Sequence, residues 1–559
     1  MSFVPGDLKI FMDNNSNGQE SNKYGSLLIL AILLLFEVWT FRKVLFNGAM
    51  IGSDRDGLLS VLMTEHWFKV LCGKEQWNTW ICMYPVTNSV AFNDMYILHA
   101  ILYCPLRFLG VNKYIAMTSA QLLWHFIGTC IMYRFLNKIL KYERIPSLIG
   151  ATAFSFGSYY LYKLWHCQFV SLSVVPLVIL SLYCFWNNMD NDRIRRKSAA
   201  IAILTEVLIF YTSPYMAEYV LVTFILFVFS MLIVRRDRKS QVIAAFKYVR
   251  NHLLEVLALI LMGIISMIPL LYVYLPTRST SVRSWEEVLS ISAPWYYFFN
   301  VSSTNLLYGK VIQKIPALTD AEWPIGFPFF ELILLALVFV FMFREKKSNI
   351  KGLFLTSFLI YCCATKVGNF TIWKVFYKFF PGASGMRVPC RIALIMLPFV
   401  GIMLAWLFEL FFSRSKIQSN MILNTVGVII AVFVLLENGQ KDGVISAWNY
   451  PDAVAREAVL DVPPPEDCAS FYCIDSMADE SQSENPYFYK GFLDAWLLAE
   501  KYDVPTLNGF ASFLPEGYGT VYNIYTSEYP SEIDRWVSDN SLVNVYCYDF
   551  ATKEWTRKG

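Results

Sequence analysis

Long apolar segments alternate with short polar connections through most of the chain. A segment of about 17 to 25 apolar residues is long enough to cross a bilayer as an α-helix. About eleven such segments can be placed along the sequence, although several are short for a full crossing. They cover residues 25–41, 114–135, 146–163, 168–187, 198–212, 214–234, 250–275, 328–343, 352–365, 389–413 and 420–437. The pattern predicts a polytopic α-helical membrane protein with about eleven transmembrane helices.

One further stretch, residues 95–112, is apolar enough to form another crossing. Because Lys and Arg in short connections stay on the cytoplasmic side, a crossing here would turn all the later basic connections outward. We therefore predict a short helix that lies in or dips into the outer interface and is interrupted at Pro105.

Basic residues concentrate in five of the short connections. These connections contain Arg134/Lys138/Lys141/Arg144, Arg193/Arg195/Arg196/Lys197, Arg235/Arg236/Arg238/Lys239, Arg344/Lys346/Lys347/Lys351 and Arg414/Lys416. Each follows an even-numbered segment, so a single orientation places all five in the cytoplasm. That orientation makes the N-terminus cytoplasmic and outweighs Arg42 and Lys43, which then fall on the outer side.

The same orientation assigns a place to each polar region. Residues 1–24 form a cytoplasmic polar tail, and the apolar segment after them is interpreted as an uncleaved signal anchor. Residues 25–437 form the transmembrane domain, with a first external loop with interfacial helices at 44–113 and a long external loop at 276–327. The hydrophilic tail 438–559 alternates apolar and aromatic runs with Gly, Pro and Asp turns, which predicts a small extracytoplasmic α/β or α+β domain.

Composition supports a membrane protein and excludes a nucleic-acid-binding one. The chain has 559 residues, of which 56% are hydrophobic and 16% are charged, and its net charge is only +3. Such a charge provides no basic surface for nucleic acid. Most of the 12 cysteines lie singly in apolar runs and are interpreted as buried thiols. Cys468 and Cys473 are close enough in sequence for a local disulfide if the tail faces an oxidising compartment.

Two carboxylates follow the first apolar segment in the stretch GSDRDG, where Asp54 and Asp56 flank Arg55. Carboxylates one residue apart can converge on a cation, or one can act as a base while the other tunes it. The alternative is a solvated loop that caps a helix running from Leu58, with Asp56 in its first turn. Asp94 precedes the predicted interfacial helix. It could cap the N-terminus of this helix, or it could be a carboxylate that is kept at membrane level because it has a function.

Imidazole and guanidinium groups lie on the same predicted outer face. In WHCQF, His166 and Gln168 lie at the external ends of two helices, where the imidazole could bind phosphate, shuttle a proton or simply satisfy an interface. Arg387 and Arg391 lie four residues apart across Pro389, and arginine at that depth favours a phosphate or carboxylate partner. Contact with lipid headgroups is the alternative.

The long external loop contains an amphipathic stretch, RSWEEVLS, with Arg283, Glu286 and Glu287. An aromatic cluster at 295–297 follows it and could stack on sugars or lie at headgroup level. Lys366 lies at the start of the next external loop. These side chains extend the set of candidate substrate-binding residues on the outer face.

In their order, these motifs resemble the GT-C superfamily of integral-membrane glycosyltransferases, closest to its YfhO-like and related bacterial branches. The motifs are GSDRDG, the ND and LYCPLRFLG strings, WHCQF with Pro176 downstream, RSWEEVLSISAP with LLYG, and GMRVPCR. The resemblance covers roughly residues 25 to 437 and depends on the order and common face of the motifs, since no single motif is specific. Some branches have an adjacent pair of acids where this chain has Asp-x-Asp, which leaves metal dependence open.

The resemblance implies transfer of a sugar from a polyprenyl-phosphate carrier to an acceptor on the external face, usually with inversion. It makes Asp54 the first candidate for the catalytic base, with Asp56 and Asp94 next. A carboxylate in that place can take the proton of the attacking acceptor hydroxyl. It also makes Asp54 and Asp56 candidate ligands of a divalent cation such as Mg or Mn.

The departing lipid phosphate needs positive charge, which Arg387, Arg391 and His166 could provide. The full set of expected substrate-binding and phosphate-binding residues is His166, Gln168, Arg283, Glu286, Lys366, Arg387 and Arg391. The implied partners are a polyprenyl-phosphate sugar donor, membrane lipids and a glycan, lipid or protein acceptor. The implied location is a bacterial inner or plasma membrane.

Two other functions fit a polytopic chain. A lipid or sugar transporter or flippase would show two related halves with paired broken helices and charges near mid-membrane, and the sequence shows neither. A non-catalytic GT-C-like scaffold would use the external tail to bind a partner.

Overall fold

The structure, a computed structural model, describes residues 19–277, 282–320, 322–344, 349–414, 420–478 and 488–558. The first helices are α1 (Gln19–Thr40), α2 (Arg42–Phe46), α3 (Asp56–Leu71), α4 (Ile97–Phe108), α5 (Lys113–Arg134), α6 (Arg144–Ser155), α7 (Ser158–Lys163), α8 (Val175–Asn187), α9 (Asp192–Phe210), α10 (Pro214–Val234), α11 (Arg238–Asn251) and α12 (Leu253–Tyr274). They are followed by α13 (Trp285–Ser290), α14 (Gly309–Ile312), α15 (Phe329–Arg344), α16 (Ile350–Ala364), α17 (Trp373–Phe379), α18 (Leu397–Arg414), α19 (Asn420–Asn438), α20 (Asp442–Ile445), α21 (Tyr450–Val459), α22 (Phe488–Tyr502) and α23 (Tyr529–Asp539). The strands are β1 (Ala49–Met50), β2 (Ala293–Pro294), β3 (Thr365–Lys366), β4 (Trp448–Asn449), β5 (Ser470–Ile474), β6 (Val545–Asp549) and β7 (Glu554–Arg557).

The fold is mostly helical, and within the described ranges 6 helical segments are long and apolar enough to cross a membrane. They are Lys113–Ile139, Cys167–Asn187, Pro214–Val234, Leu253–Tyr274, Pro389–Arg414 and Met421–Asn438. Each coincides with a predicted segment. The other predicted segments are helical too, in α1, α6 with α7, α9, α15 and α16, and the total of about eleven crossings stays a prediction.

Two predicted segments differ in detail from the structure. The segment 146–163 forms two helices, because Phe156 and Gly157 interrupt the helix between α6 and α7. The helix α4 runs through Pro105 to Phe108, so the predicted interruption at this proline is wrong. A proline near the end of a helix removes one N–H donor, and the helix continues for only three further residues.

The centre of the bundle is formed by α6 and α18. A Cβ atom added at Gly150 would lie 2.4 Å from the carbonyl oxygen of Gly401, so the two backbones approach more closely than larger residues would allow. The span that includes α18 is 78% buried, whereas Leu253–Tyr274 is 11% buried and lies at the periphery, facing lipid. The protein is thus an integral membrane bundle with α18 inside it.

The C-terminal region contains a three-stranded sheet in the order β5-β6-β7, with β5 and β6 parallel and β6 and β7 antiparallel. Its core is continuous with that of residues 44–113, because Trp80 packs against Trp496 with ring centroids 5.8 Å apart. Cys468 and Cys473 are both free thiols in the structure, so the local disulfide that their spacing would permit is not formed. The domain boundary near residue 438 stays a prediction.

Several predicted features fall outside the described residues. They include residues 1–18 of the polar tail and the basic residues Lys346, Lys347 and Lys416.

Candidate active site

The acidic stretch after the first helix is held against the start of the C-terminal region by backbone pairing. The strands β1 and β4 pair antiparallel, and the Ala447 N–H donates to the Gly52 carbonyl at 2.9 Å. Gly52 has φ +100°, a conformation that favours glycine. The Ser53 hydroxyl then accepts the backbone N–H of Asp56 at 3.1 Å and begins α3. Asp56 lies in the first turn of this helix, as predicted.

The acids line a cavity of about 490 Å³. Its walls are Ser53, Asp54, Arg55, Asp56, Tyr162, Trp165, Gly443, Val444, Ala447 and Tyr489. A second cavity of about 270 Å³ is lined by Asp54, Leu58, Tyr114, Ala447, Trp448, Asp452, Ala453 and Arg456. Asp54 and Ala447 belong to both walls, so Asp54 lies where the two cavities meet.

Asp54 differs from the acids around it in having no partner for its side chain. It is exposed, and within the described ranges its carboxylate forms no hydrogen bond or ion pair. Its backbone carbonyl accepts a hydrogen bond from the Arg456 guanidinium at 3.0 Å, which fixes the main chain. The structure thus presents a carboxylate on a fixed backbone to two cavities.

Asp56 begins a line of charged groups that leads into the protein. Its carboxylate lies 3.4 Å from Nδ1 of His166, and Nε2 of His166 lies 3.7 Å from Oε1 of Glu322. Burial alone would raise the pKa of Asp56, but His166, Arg391 and Arg55 outweigh it and lower the pKa. Asp56 is therefore ionised, and its side chain is paired with that of His166.

Glu322 holds the far end of this line, between one buried and one partly buried cation. Arg391 donates from Nη2 to Oε1 at 3.0 Å and from Nε to Oε2 at 3.2 Å, and Lys163 donates to Oε2. The Lys163 side chain is 0% exposed and that of Arg391 is 15% exposed. Burial raises the pKa of Glu322, but the charges of Arg391 and Lys163 hold it well below its ordinary value. We call Asp56, His166, Glu322, Arg391 and Lys163 the charged cluster.

Sequence reasoning missed Glu322 and Lys163. Lys163 lies at the end of a predicted crossing, and a charge at that depth indicates a functional or paired residue, so it could have been found. Glu322 lies in the long connection between α12 and α15 without a motif around it, and only the tertiary structure brings it to Arg391.

Gln168 and Asp94 lie beside the charged cluster, near the start of α10. Gln168 donates to the Tyr215 hydroxyl at 2.9 Å and accepts from the Tyr96 hydroxyl at 3.1 Å. Asp94 does not cap the interfacial helix, because the N-cap residue of α4 is Tyr96. Burial raises the pKa of Asp94 to about 7, despite the opposing influence of Ser213 and Arg391.

This raised pKa predicts a pH dependence of stability. The folded chain keeps the Asp94 proton up to about pH 7, whereas an unfolded Asp loses it near pH ~4. The stabilising contribution is therefore complete below about pH 4 and is lost as the pH rises to about 7. We expect Asp94→Asn to flatten the fall in the thermal unfolding midpoint between about pH 4 and pH 7. Equal slopes for the two proteins would contradict this expectation.

The remaining predicted residues form a separate group near α13. Arg387 pairs through Nε with Oε1 of Glu287 at 2.9 Å. Arg283 donates to the Ser512 carbonyl at 2.6 Å, and Lys366 donates to the Leu289 carbonyl at 2.6 Å. These contacts are with protein groups, so the structure does not bring Arg283 or Lys366 into the charged cluster.

Glu286 and Arg387, two members of this group, have different surroundings. Glu286 is exposed on α13. Arg387 acts electrostatically on Tyr489, which lines that cavity. The larger cavity thus has Arg55 in its wall, and Arg387 acts on one of its lining residues from a distance.

The acids do not fit a protein-caged divalent cation. In the part of the chain that the structure describes, no three His, Cys, Asp or Glu side chains converge as metal ligands. Asp56 already faces His166 and lies in the field of Arg55 and Arg391, and this positive charge opposes a further cation at the same carboxylate.

No family model and no curated protein matches the chain. Solved structures do match its fold. The apo oligosaccharyltransferase from Archaeoglobus fulgidus aligns with a TM-score of 0.53 and 11% identity over 94% of this chain and 70% of that one. ArnT from Cupriavidus metallidurans in the apo state aligns with a TM-score of 0.51 and 11% identity over 95% and 94%. ArnT bound to undecaprenyl phosphate aligns at 0.45 and 11% identity over 86% and 85%. Both proteins are GT-C membrane glycosyltransferases, and the predicted likeness is confirmed at the level of fold: this chain has the GT-C fold.

Proposed function

We propose that the protein is a glycosyltransferase that moves a sugar from a polyprenyl-phosphate-linked donor to an acceptor on the external face of the membrane. The observation that carries this proposal is the Asp54 carboxylate, which has no hydrogen-bond or ion-pair partner among the described residues and lies where two cavities meet. The GT-C fold supports it, and one ArnT structure has undecaprenyl phosphate bound.

In the proposed reaction, Asp54 acts as the general base. It takes the proton from an acceptor hydroxyl while that oxygen attacks the anomeric carbon of the donor sugar. The bond between the anomeric carbon and the phosphate oxygen breaks, and its electron pair leaves with the lipid phosphate. Attack on the face opposite to the leaving group inverts the configuration.

Positive charge around the larger cavity would stabilise the leaving phosphate. Arg55 lines this cavity, and Arg387 lies close enough to influence Tyr489 in its wall. Arg391 points instead to Glu322, with its Nη2 also 3.4 Å from Nε2 of His166. We assign Arg391 a positioning role, in which it holds His166 in place beside Asp56.

The smaller cavity suits the acceptor. Its wall combines the rings of Tyr114 and Trp448 with the carboxylates of Asp54 and Asp452. Aromatic faces and carboxylates are the groups that bind the apolar faces and hydroxyls of sugars. A glycan or another hydroxyl-bearing acceptor placed here would lie next to Asp54.

A transfer assay tests this function. Membranes that contain the protein are supplied with radiolabelled polyprenyl-phosphate sugars and an extract of envelope acceptors, and labelled products are separated from the donor. We expect new labelled product above that of membranes from cells with an empty vector. Label that only crosses the bilayer without forming a glycosidic bond would indicate a transporter and contradict the proposal.

The positive charge around Asp56 also leads to a prediction about metal dependence. Because Asp56 is already balanced by His166, Arg391 and Arg55, we expect dialysis against EDTA to change the transfer rate by less than about two-fold. A loss of activity that Mg²⁺ or Mn²⁺ restores would show that Asp54 and Asp56 bind a cation with substrate.

The proposed setting is a bacterial inner or plasma membrane, with a cytoplasmic N-terminus and an extracytoplasmic C-terminal region. The five basic connections support this orientation. The candidate site then lies on the external side, where a polyprenyl-linked donor and envelope acceptors meet.

A further inference from the structure

Helix α11 combines apolar and basic side chains on one exposed surface. It joins α10 to α12, and none of its residues is buried. The exposed apolar side chains are Val242, Ile243, Phe246 and Val249, with Phe246 74% exposed. The exposed basic side chains are Arg238, Lys239, Lys247 and Arg250. In water this mixture would leave large apolar groups uncovered.

The neighbouring helices place α11 on the side of the bilayer opposite to the candidate site. Tyr215, at the start of α10, contacts Gln168 and Arg391, and α10 runs for 21 residues away from them. Tyr274, at the end of α12, donates to the Asn93 carbonyl at 2.5 Å. Helices of this length span about 30 Å, which is the hydrocarbon thickness of a bilayer. The other ends of α10 and α12, and α11 between them, therefore reach the opposite headgroup layer.

One side of α11 is fixed to the bundle. The Tyr248 hydroxyl donates to Oε1 of Glu255 at 2.9 Å, and its ring lies on His252 with centroids 4.9 Å apart. Arg195 also binds Glu255, with Nε at 3.0 Å and Nη2 at 2.8 Å. Helical periodicity places Ile243 and Phe246 on the side away from Tyr248. These contacts fix the rotation of α11 and direct its mixed surface outward.

We propose that α11 lies in the headgroup layer of this leaflet and binds anionic phospholipid headgroups. Residues 235–250 contain six Lys or Arg, at 235, 236, 238, 239, 247 and 250, and one acid, Asp237. Phe246 and Ile243 enter the boundary of the acyl chains, while the long basic side chains reach the lipid phosphates. A lipid surface fits better than a protein partner, because an amphipathic helix with basic residues beside its apolar side chains binds in the plane of an anionic membrane interface.

A lipid titration of the full-length protein tests this site. The purified chain in a neutral detergent is titrated with dihexanoyl-phosphatidylglycerol, and its thermal unfolding midpoint is followed. Dihexanoyl-phosphatidylcholine and inorganic phosphate serve as parallel titrants. We expect phosphatidylglycerol alone to raise the midpoint, and we expect Lys247→Gln/Arg250→Gln to weaken its apparent affinity at least about ten-fold. Lys310→Gln/Lys314→Gln, which removes two exposed cations near α14, should respond as the wild type.

Each other outcome would overturn the proposal. An equal response to phosphatidylcholine would indicate a general effect of lipid, and an equal response to inorganic phosphate would indicate a simple anion site. A full response by the Lys247→Gln/Arg250→Gln variant would place the lipid elsewhere. None of these readouts depends on transferase activity, so the result is independent of the proposed function.

Discussion

Replacing Asp54 by Asn is expected to lower the transfer rate by roughly 10²- to 10⁴-fold, the range for removal of a general base. Because the Asp54 carboxylate forms no hydrogen bond or ion pair within the described ranges, the thermal unfolding midpoint should stay within about 1 °C of the wild type. The rate is measured in the transfer assay, and the midpoint with the purified protein. The combination of a large catalytic loss and an unchanged fold distinguishes an enzyme from a scaffold.

Asp539→Asn is the matched control. This side chain is also exposed, lies at the end of α23, and lines neither of the two cavities described above. We expect it to retain wild-type activity. If Asp54→Asn is as active as this control, Asp54 is not the base, and Asp94 becomes the carboxylate to test next.

Replacing Glu322 by Gln is expected to have the largest effect on stability. The change leaves Lys163 and Arg391, whose side chains are 0% and 15% exposed, without their shared carboxylate. Breaking a buried ion pair by removing one partner costs about 3–5 kcal/mol. We expect a large fall in the thermal unfolding midpoint, together with loss of transfer as His166 loses its position beside Asp56.

Glu287→Gln provides the comparison for this prediction. Glu287 is paired with Arg387, whose side chain is 58% exposed, and exposed pairs contribute about 0–1 kcal/mol. If both substitutions cost the same, Glu322 does not have the structural role that its position indicates. If Glu322→Gln is stable but inactive, its role is confined to positioning the charged cluster.

Local pattern was enough to predict the helical membrane domain and part of the candidate site. The predicted segments are helical because, inside a bilayer, a helix pairs the backbone N–H and C=O groups of a single apolar segment with one another. Asp56, His166 and Arg391 were each selected by motif, and the structure brings them together. Charged and imidazole side chains at the ends of apolar segments could therefore be identified as site residues without any knowledge of their contacts.

The features that were missed depend on contacts between distant parts of the chain. Glu322 has no local sequence feature that distinguishes it from other loop acids, and only its contact with Arg391 gives it a role. The pairing of Arg387 with Glu287 likewise could not be read from local sequence, while the phosphate-binding role of Arg387 stays a prediction. The helix α11 was missed for a different reason, since its basic start was interpreted as a cytoplasmic connection.

The pairing of β1 with β4 has a consequence for biosynthesis. Trp448 donates from its indole to the Ile51 carbonyl at 3.4 Å across 397 positions of sequence, so the loop that carries Asp54 gains its final support only from residues made late in translation. Contacts of such separation form slowly because a long loop must close first. We therefore expect the loop that carries Asp54 to reach its final geometry only after Trp448 has been made and β4 has docked on β1.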